Sequence, residues 1–369
     1  MSLETWEEDL PALAEGISEV LVEECDPRSV HTFFDGGNDL DKALWARAAE
    51  LGFLGIGLSE EFGGLGFGAR GLDVLYRTLG RAMAPGAFVP TLAAAQWLEQ
   101  VGPEDLNASL LPEVVAGERT FAVPFALDGE GVALNDGRLG GTTPLMLTSR
   151  DATTAVLSVK REGAAAFALV DLAGVGFVAN DIWDHTRLVG RYTLDNAEPL
   201  AVIDDVDGTA AATLRSNVAL GIAGDCVGGA RAIADQTIEY LKQREQFGRL
   251  LASMQALKHR CAELMRAVLE GEQALDQGVE ATALGNPAAH MWASLAKALA
   301  AEKFFFVADD CLQLHGGVGF TWEFDAHIFL KRALLNRELS GNNAFHRDLA
   351  ARHLAEADLA GVSTAELTT

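Results

Sequence analysis

From residue 209 to about 355 the chain is one long helical block, and that block constrains the fold more than any other feature. Four Ala/Leu-rich stretches, 209–245, 251–278, 287–312 and 325–357, follow Asp204-Asp205-Val206-Asp207-Gly208 with few helix breakers inside them. Long helices in succession are expected to pack as an antiparallel bundle, since none can bury its apolar stripe alone. Upstream, between about 119 and 208, short Val/Leu/Thr-rich runs such as Thr154-Ala155-Val156-Leu157-Ser158-Val159 and Ala166-Phe167-Ala168-Leu169-Val170 alternate with Gly, Asp and Asn, which reads as an all-β block. Helical spacing returns at 40–54 and 71–83, separated by a glycine-rich stretch, 51–66, that disfavours a continuous helix. The chain therefore reads as α+β: an N-terminal helical domain over 1–118, a middle β-barrel or sheet domain over 119–208, and a C-terminal four-helix-bundle domain over 209–369 with a frayed tail from Gly361 onward.

Composition narrows the function classes. Hydrophobic residues make up 49% of the chain, and no run approaches the roughly 18 apolar residues of a membrane span. The acidic start, Met1-Ser2-Leu3-Glu4, lacks the basic and apolar regions of a signal peptide, so a cytoplasmic location is expected. A formal charge of −25 argues against a nucleic-acid partner, because phosphate-backbone affinity comes from Lys and Arg. Cys25, Cys226, Cys261 and Cys311 are scattered without a C-x-x-C pair and read as free thiols, with no metal site expected.

Two motifs carry chemistry. The first is Tyr240-Leu241-Lys242-Gln243-Arg244-Glu245-Gln246-Phe247-Gly248, where Arg244 offers a five-donor fork at a helix end. The second is Gln313-Leu314-His315-Gly316-Gly317-Val318-Gly319-Phe320, where glycines remove side chains at a helix stop and let backbone N–H groups approach an anion. Alone, an Arg at a helix end complements the helix dipole and a Gly pair ends a helix. Together, about 70 residues apart in a helical block that follows a β block, they are far more specific.

The two motifs, R-x-Q-F-G and Q-x-x-G-G-x-G, resemble the C-terminal signatures of acyl-CoA dehydrogenases. Residues 51–66 are similar to that family's L-G-x-x-G-x-x-x-P-E-E-x-G-G-x-G, with Ser59 where Pro is usual. The resemblance covers nearly the whole chain and implies the acyl-CoA dehydrogenase fold, FAD as cofactor and an acyl-CoA thioester as substrate. It further implies that Arg244, Gln246, Phe247, Gln313, Gly316 and Gly317 hold the pyrophosphate and adenosine end of an FAD seated in a neighbouring subunit.

The resemblance fails at the chemistry. In the family a carboxylate removes the α-proton of the thioester while hydride moves to the flavin, and a positioned base typically contributes about 10²–10⁴-fold. Counting nine residues on from Arg332 places Gly341 at the usual Glu position; the alternative position, 26 residues before Arg244, falls on Val218. Neither residue can act as a base, so no catalytic residue is assigned. The flavin-cradling T-E-P-x-A-G-S-D loop is replaced over 122–131, and Leu145-Met146-Leu147-Thr148-Ser149 stands for the usual W-x-x-(S/T)-N strand. What remains would grip a neighbour's FAD; what is missing would seat this chain's own flavin.

Actinobacterial heteromeric members of the family, including some acting on steroid side-chain CoA esters, divide labour in this way. The resemblance thus implies the base-deficient subunit of an α2β2 complex with a homologous catalytic partner and an electron-transfer flavoprotein as acceptor. The alternatives are an active homotetramer with a displaced base, a flavin monooxygenase of the same fold, or a scaffold that has lost flavin. For the displaced base, Asp225 and Glu338 are the candidates, although seven residues beyond Val218 shifts Asp225 by about 10 Å along the helix axis. For oxygen chemistry the available residues are His346 and His353. Asp184 and His185 within Trp183-Asp184-His185-Thr186-Arg187 are expected to be structural, as neighbours on a strand point to opposite faces. Trp322-Glu323-Phe324 is expected to pack under the glycine turn.

Overall fold

The computed structural model describes residues 3–126, 131–321 and 324–359. The expected frayed tail from Gly361, residues 127–130 of the replaced flavin loop and Trp322-Glu323 lie outside them.

Six helices open the described chain: α1 (Leu3–Glu24), α2 (Pro27–Phe34), α3 (Leu40–Glu50), α4 (Gly68–Arg81), α5 (Phe88–Val101) and α6 (Glu104–Val115). Local chemistry starts α2 sharply. The Asp26 side chain accepts from the N–H groups of Arg28 and Ser29, and Pro27 occupies the first turn, where a missing N–H costs nothing. Residues 51–66 form short 3-10 turns at Phe53–Gly55 and Glu60–Phe62, as the glycines there require.

The β block contains β1 (Phe121–Pro124), β2 (Val132–Asn135), β3 (Arg138–Thr142), β4 (Met146–Thr148), β5 (Thr154–Arg161), β6 (Ala164–Asp171), β7 (Gly176–Ala179), β8 (Leu188–Ala197) and β9 (Pro199–Asp204). They make one sheet in the order β2-β3-β8-β4-β1-β5-β6-β9, with β7 also on β8. Only β1 and β5 run parallel among these pairings. Strand alternation sends side chains to two different cores. Ala155, Leu157 and Val159 of β5, with Ala166 and Ala168 of β6, fill the interior of the curled sheet. Val156, Phe167 and Leu169 face the helices, and there the ring of Trp97 meets Phe167 at 5.3 Å. Trp97 Nε1 donates to Ala210 O at 2.9 Å, fastening α5 to the start of the next helix.

That helix, α7 (Thr209–Gln243), is followed by the hairpin strands β10 (Glu245–Gln246) and β11 (Arg249–Leu250), then α8 (Gln255–Ala283), α9 (Ala289–His315), α10 (Ala326–Glu338) and α11 (Asn343–Leu359). The middle of α7 is buried on all sides from Ser216 to Ala230, as befits a helix packed on several neighbours at once. The expectation of one helix over 325–357 is corrected: the chain breaks between α10 and α11. Ser340 (φ +60°) and Gly341 (φ +101°) adopt the left-handed region that a continuing helix cannot use, and Leu339 leaves the helix in extended conformation. Lys297 secures this break from α9, its Nζ donating to Arg337 O at 2.9 Å and Gly341 O at 2.5 Å.

Candidate functional site

The two motifs lie at the same end of the bundle. Helix α7 stops at Arg244, whose N–H still bonds Tyr240 O at 2.9 Å while its backbone has turned extended. Beyond it Glu245 pairs with Leu250 and Gln246 with Arg249, leaving Phe247 and Gly248 as the two turn residues. Both have positive φ, +56° and +72°, the geometry a two-residue hairpin needs. Asparagine or glycine would adopt it at less cost than Phe247, which is moreover 90% exposed. Arg244 and Gln246 are exposed beside it, and no hydrogen bond or ion pair to the Arg244 guanidinium is found among the described residues.

Helix α9 ends at His315, and Gly316 follows at φ +65°, ψ −146°, a region open only to glycine. Its N–H donates to Gln313 O, closing the helix. Gln313 and Gly317 are exposed, and a Cβ at Gly317 would meet nothing within 4 Å, so the turn faces open space. The motifs are joined through Tyr240 and His315, whose rings stack at 4.5 Å with 23° between planes. All six residues proposed from sequence for the cofactor grip therefore sit at the same end of α7 and α9.

Both family positions for the base are closed. Val218 lies buried in α7. At Gly341 a Cβ would overlap the ring of Phe345, so the space a side chain would enter is already filled. The neighbouring contacts tighten the closure. Phe125 N–H donates to Leu145 O, and Ser340 N–H donates to Phe125 O, each at 2.7 Å. The end of β1, the start of β4 and the α10–α11 turn are thus stitched together by backbone. In place of the usual tryptophan strand, Leu147 pairs with Val123 and the Thr148 hydroxyl bonds Tyr192 Oη at 2.7 Å.

Asp225 is the centre of a buried ion network that sequence reasoning did not foresee. Its Oδ1 accepts from Arg187 Nη2 and Arg332 Nη1, both at 2.8 Å, and its Oδ2 accepts from Asn336 Nδ2 at 2.7 Å. Arg332 also donates from Nε to Asp184 Oδ2 at 2.8 Å and reaches Thr186 Oγ1 and the carbonyls of Met83 and Ala84. Burial works to raise the Asp225 carboxyl, but Arg332 and Arg187 outweigh it and hold the group below the usual carboxylate range. Burial, with Arg332 close by, pulls Arg187 down to about 10. The Asp184–Arg187 segment is structural as expected, but as a turn between β7 and β8 rather than a strand. Arg187 is buried, and its guanidinium is committed to Asp225 and the Ala84 carbonyl. One sequence signal pointed here: an aspartate inside the all-apolar middle of α7 is sustainable only beside a cation.

The other candidate acids and histidines are accounted for similarly. Glu338 is exposed at the end of α10. His346 is buried, its Nε2 3.0 Å from Ser340 O, and burial drives its imidazole down to about 3. His353 is half-buried beside His290, their ring centroids 6.3 Å apart. Among the described residues no group of three or more His, Cys, Asp or Glu could hold a metal ion, and no helix is long and apolar enough to cross a membrane.

Comparison with known proteins agrees with this picture. Family models describing the acyl-CoA dehydrogenase N-terminal and C-terminal domains match residues 7–118 and 209–355. The acyl-CoA dehydrogenase IpdE2 of Mycobacterium tuberculosis is 28% identical over 327 residues, covering 88% of this chain and 91% of that protein. Among solved structures, a variant of the Tcur3481–Tcur3483 steroid acyl-CoA dehydrogenase superposes with a TM-score of 0.87 at 25% identity, covering 96% of this chain and 99% of that one. The ChsE4–ChsE5 complex from Mycobacterium tuberculosis gives 0.84 at 25% identity, covering 96% and 98%. With models of both terminal domains matched and the fold shared along almost its full length, the chain belongs to the acyl-CoA dehydrogenase family of oxidoreductases.

Proposed function

We propose that this chain is the base-deficient subunit of a heteromeric FAD-dependent acyl-CoA dehydrogenase, completing the cofactor site of a homologous catalytic partner. The observation that carries the proposal is the contrast between two regions of the molecule. The outward end of α7 and α9 presents Arg244, Gln246, Phe247, Gln313 and Gly317, exposed and without side-chain hydrogen bonds or ion pairs among the described residues. The place where a catalytic Glu would stand is sealed by Gly341 and Phe345.

The residues fit the group. Arg244 supplies a guanidinium for a pyrophosphate, Gln313 a neutral donor, and the exposed Phe247 a flat apolar face. Because Gly316 spends its N–H on Gln313 O, contact with an anion at this turn falls to Gly317 and the residues after it, while Gly316 shapes the turn. Bound FAD supplies the hydride acceptor, and an electron-transfer flavoprotein is the expected onward acceptor. Removing the α-proton falls to the partner, because the displaced-base candidate Asp225 is buried and committed to Arg187, Arg332 and Asn336. The substrate class is an acyl-CoA thioester; likeness to a pair described as a steroid acyl-CoA dehydrogenase favours a bulky acyl group.

The test is Arg244→Ala in this chain, with the native complex purified and its flavin measured by absorbance after denaturation. Flavin content and activity are expected to fall at least tenfold while both chains stay assembled. A complex that remains fully flavinylated and active would overturn the proposal.

A further inference from the structure

The reading above treats the hairpin and the glycine turn as one grip, yet they belong to different helices. We propose that Tyr240 and His315 are positioning residues whose stacked rings lock the two motifs into a single cofactor-holding unit; this inference rests on the function proposed above.

The connection is short at both ends. Arg244 follows Tyr240 by one helical turn and its N–H bonds Tyr240 O, so any movement of Tyr240 is passed to the guanidinium's own backbone. Gly316 is bonded directly to His315. Between them the rings lie nearly parallel at 4.5 Å, and Tyr240 Oη donates to His315 O at 3.5 Å, a long contact to the last carbonyl before the turn. His315 cannot swing away. It is only 6% exposed, its Nδ1 is 2.8 Å from Cys311 O one turn back, and Phe324 leans on it at 5.2 Å while meeting Tyr240 edge-on at 5.4 Å. A carbonyl only accepts, so Nδ1 carries the proton and the ring is fixed in one tautomer. Burial also lowers the imidazole's proton affinity, keeping the stack neutral.

These rings form one wall of a surface cleft of about 520 Å³ that Gln236, Gln243 and Asp325 also line. Simple core filling would be served by any apolar side chain. Here two flat rings with polar edges, Tyr240 half-buried and His315 buried, join the bases of two motifs that must act on one ligand. A misplacement of about 1 Å in such a positioning element costs on the order of a hundredfold in function.

The experiment compares Tyr240→Leu, Tyr240→Phe and His315→Asn in the natively assembled oligomer, with Arg244→Ala as reference. FAD retention through gel filtration, oligomer size and unfolding midpoint are the readouts. Tyr240→Leu and His315→Asn are expected to lower retained FAD at least tenfold with oligomer size and unfolding midpoint held, whereas Tyr240→Phe, which keeps the ring, retains it. Unchanged FAD in Tyr240→Leu and His315→Asn, with Arg244→Ala stripped, would overturn the positioning role alone. Loss of FAD only together with disassembly or unfolding would make the pair ordinary packing and also overturn it. Full FAD in Arg244→Ala would overturn the underlying function, and this inference with it.

Discussion

At the scale of one residue, Gly341 stands where the resemblance places the family's Glu, and it is tightly packed. Its φ of +101° and the Phe345 ring against it leave no room for a side chain. Gly341→Glu is therefore expected to destabilise the fold by about 1–3 kcal/mol in urea titration and to create no dehydrogenase activity in the isolated chain. A stable, active variant would show that the site is intact apart from its base. Asp225→Asn should behave as a fold mutation, because it leaves Arg187 and Arg332 buried beside a neutral amide; a loss of about 3–5 kcal/mol is expected. His346 gives a pH signature. Its folded value near 3 lies below the ordinary 6.5, so the stability tied to its neutral form is complete above pH 6.5 and is lost as pH falls toward 3. At pH 5 that loss is about 2 kcal/mol, and His346→Gln should flatten this part of a stability-against-pH curve by the same amount.

At the scale of elements, the sequence reading and the structure part company where tertiary contacts decide. The order of helices and strands was legible because periods of 3.6 and 2 are written directly into Ala/Leu and Val/Thr spacing. The α7 end and the glycine turn were legible because Arg244 and Gly316 mark helix stops with particular chemistry. The break between α10 and α11 was signalled by Ser340-Gly341-Asn342-Asn343 but masked by the Ala/Leu spacing on either side; what holds it, Lys297 and the Phe125 carbonyl, is distant in sequence and could not be read. The ion network was hidden for the same reason, with Asp184, Asp225 and Arg332 brought together from three segments. The β10–β11 hairpin allows a test at this scale. As Phe247 is exposed on a turn that prefers glycine, Phe247→Gly should change stability by less than about 0.5 kcal/mol while weakening FAD retention in the complex. A large stability loss would mean that the ring packs within the fold instead.

For the whole molecule, Arg332 joins the α4–α5 loop, the β7–β8 turn, α7 and α10 in one buried cluster, so the helical and β regions are held as a single frame. In a chain of net charge −25, Arg244 is exposed and has no side-chain hydrogen bond or ion pair among the described residues, as the proposed cofactor grip requires. The account predicts that the frame is intact and that the missing chemistry is supplied by another chain. The molar ratio of FAD to this chain in the natively assembled oligomer, measured from flavin absorbance after denaturation, tests that most directly. A complex containing a second dehydrogenase-like chain, with one FAD for each pair of chains, is the predicted result. One FAD per copy in an oligomer of this chain alone would contradict it.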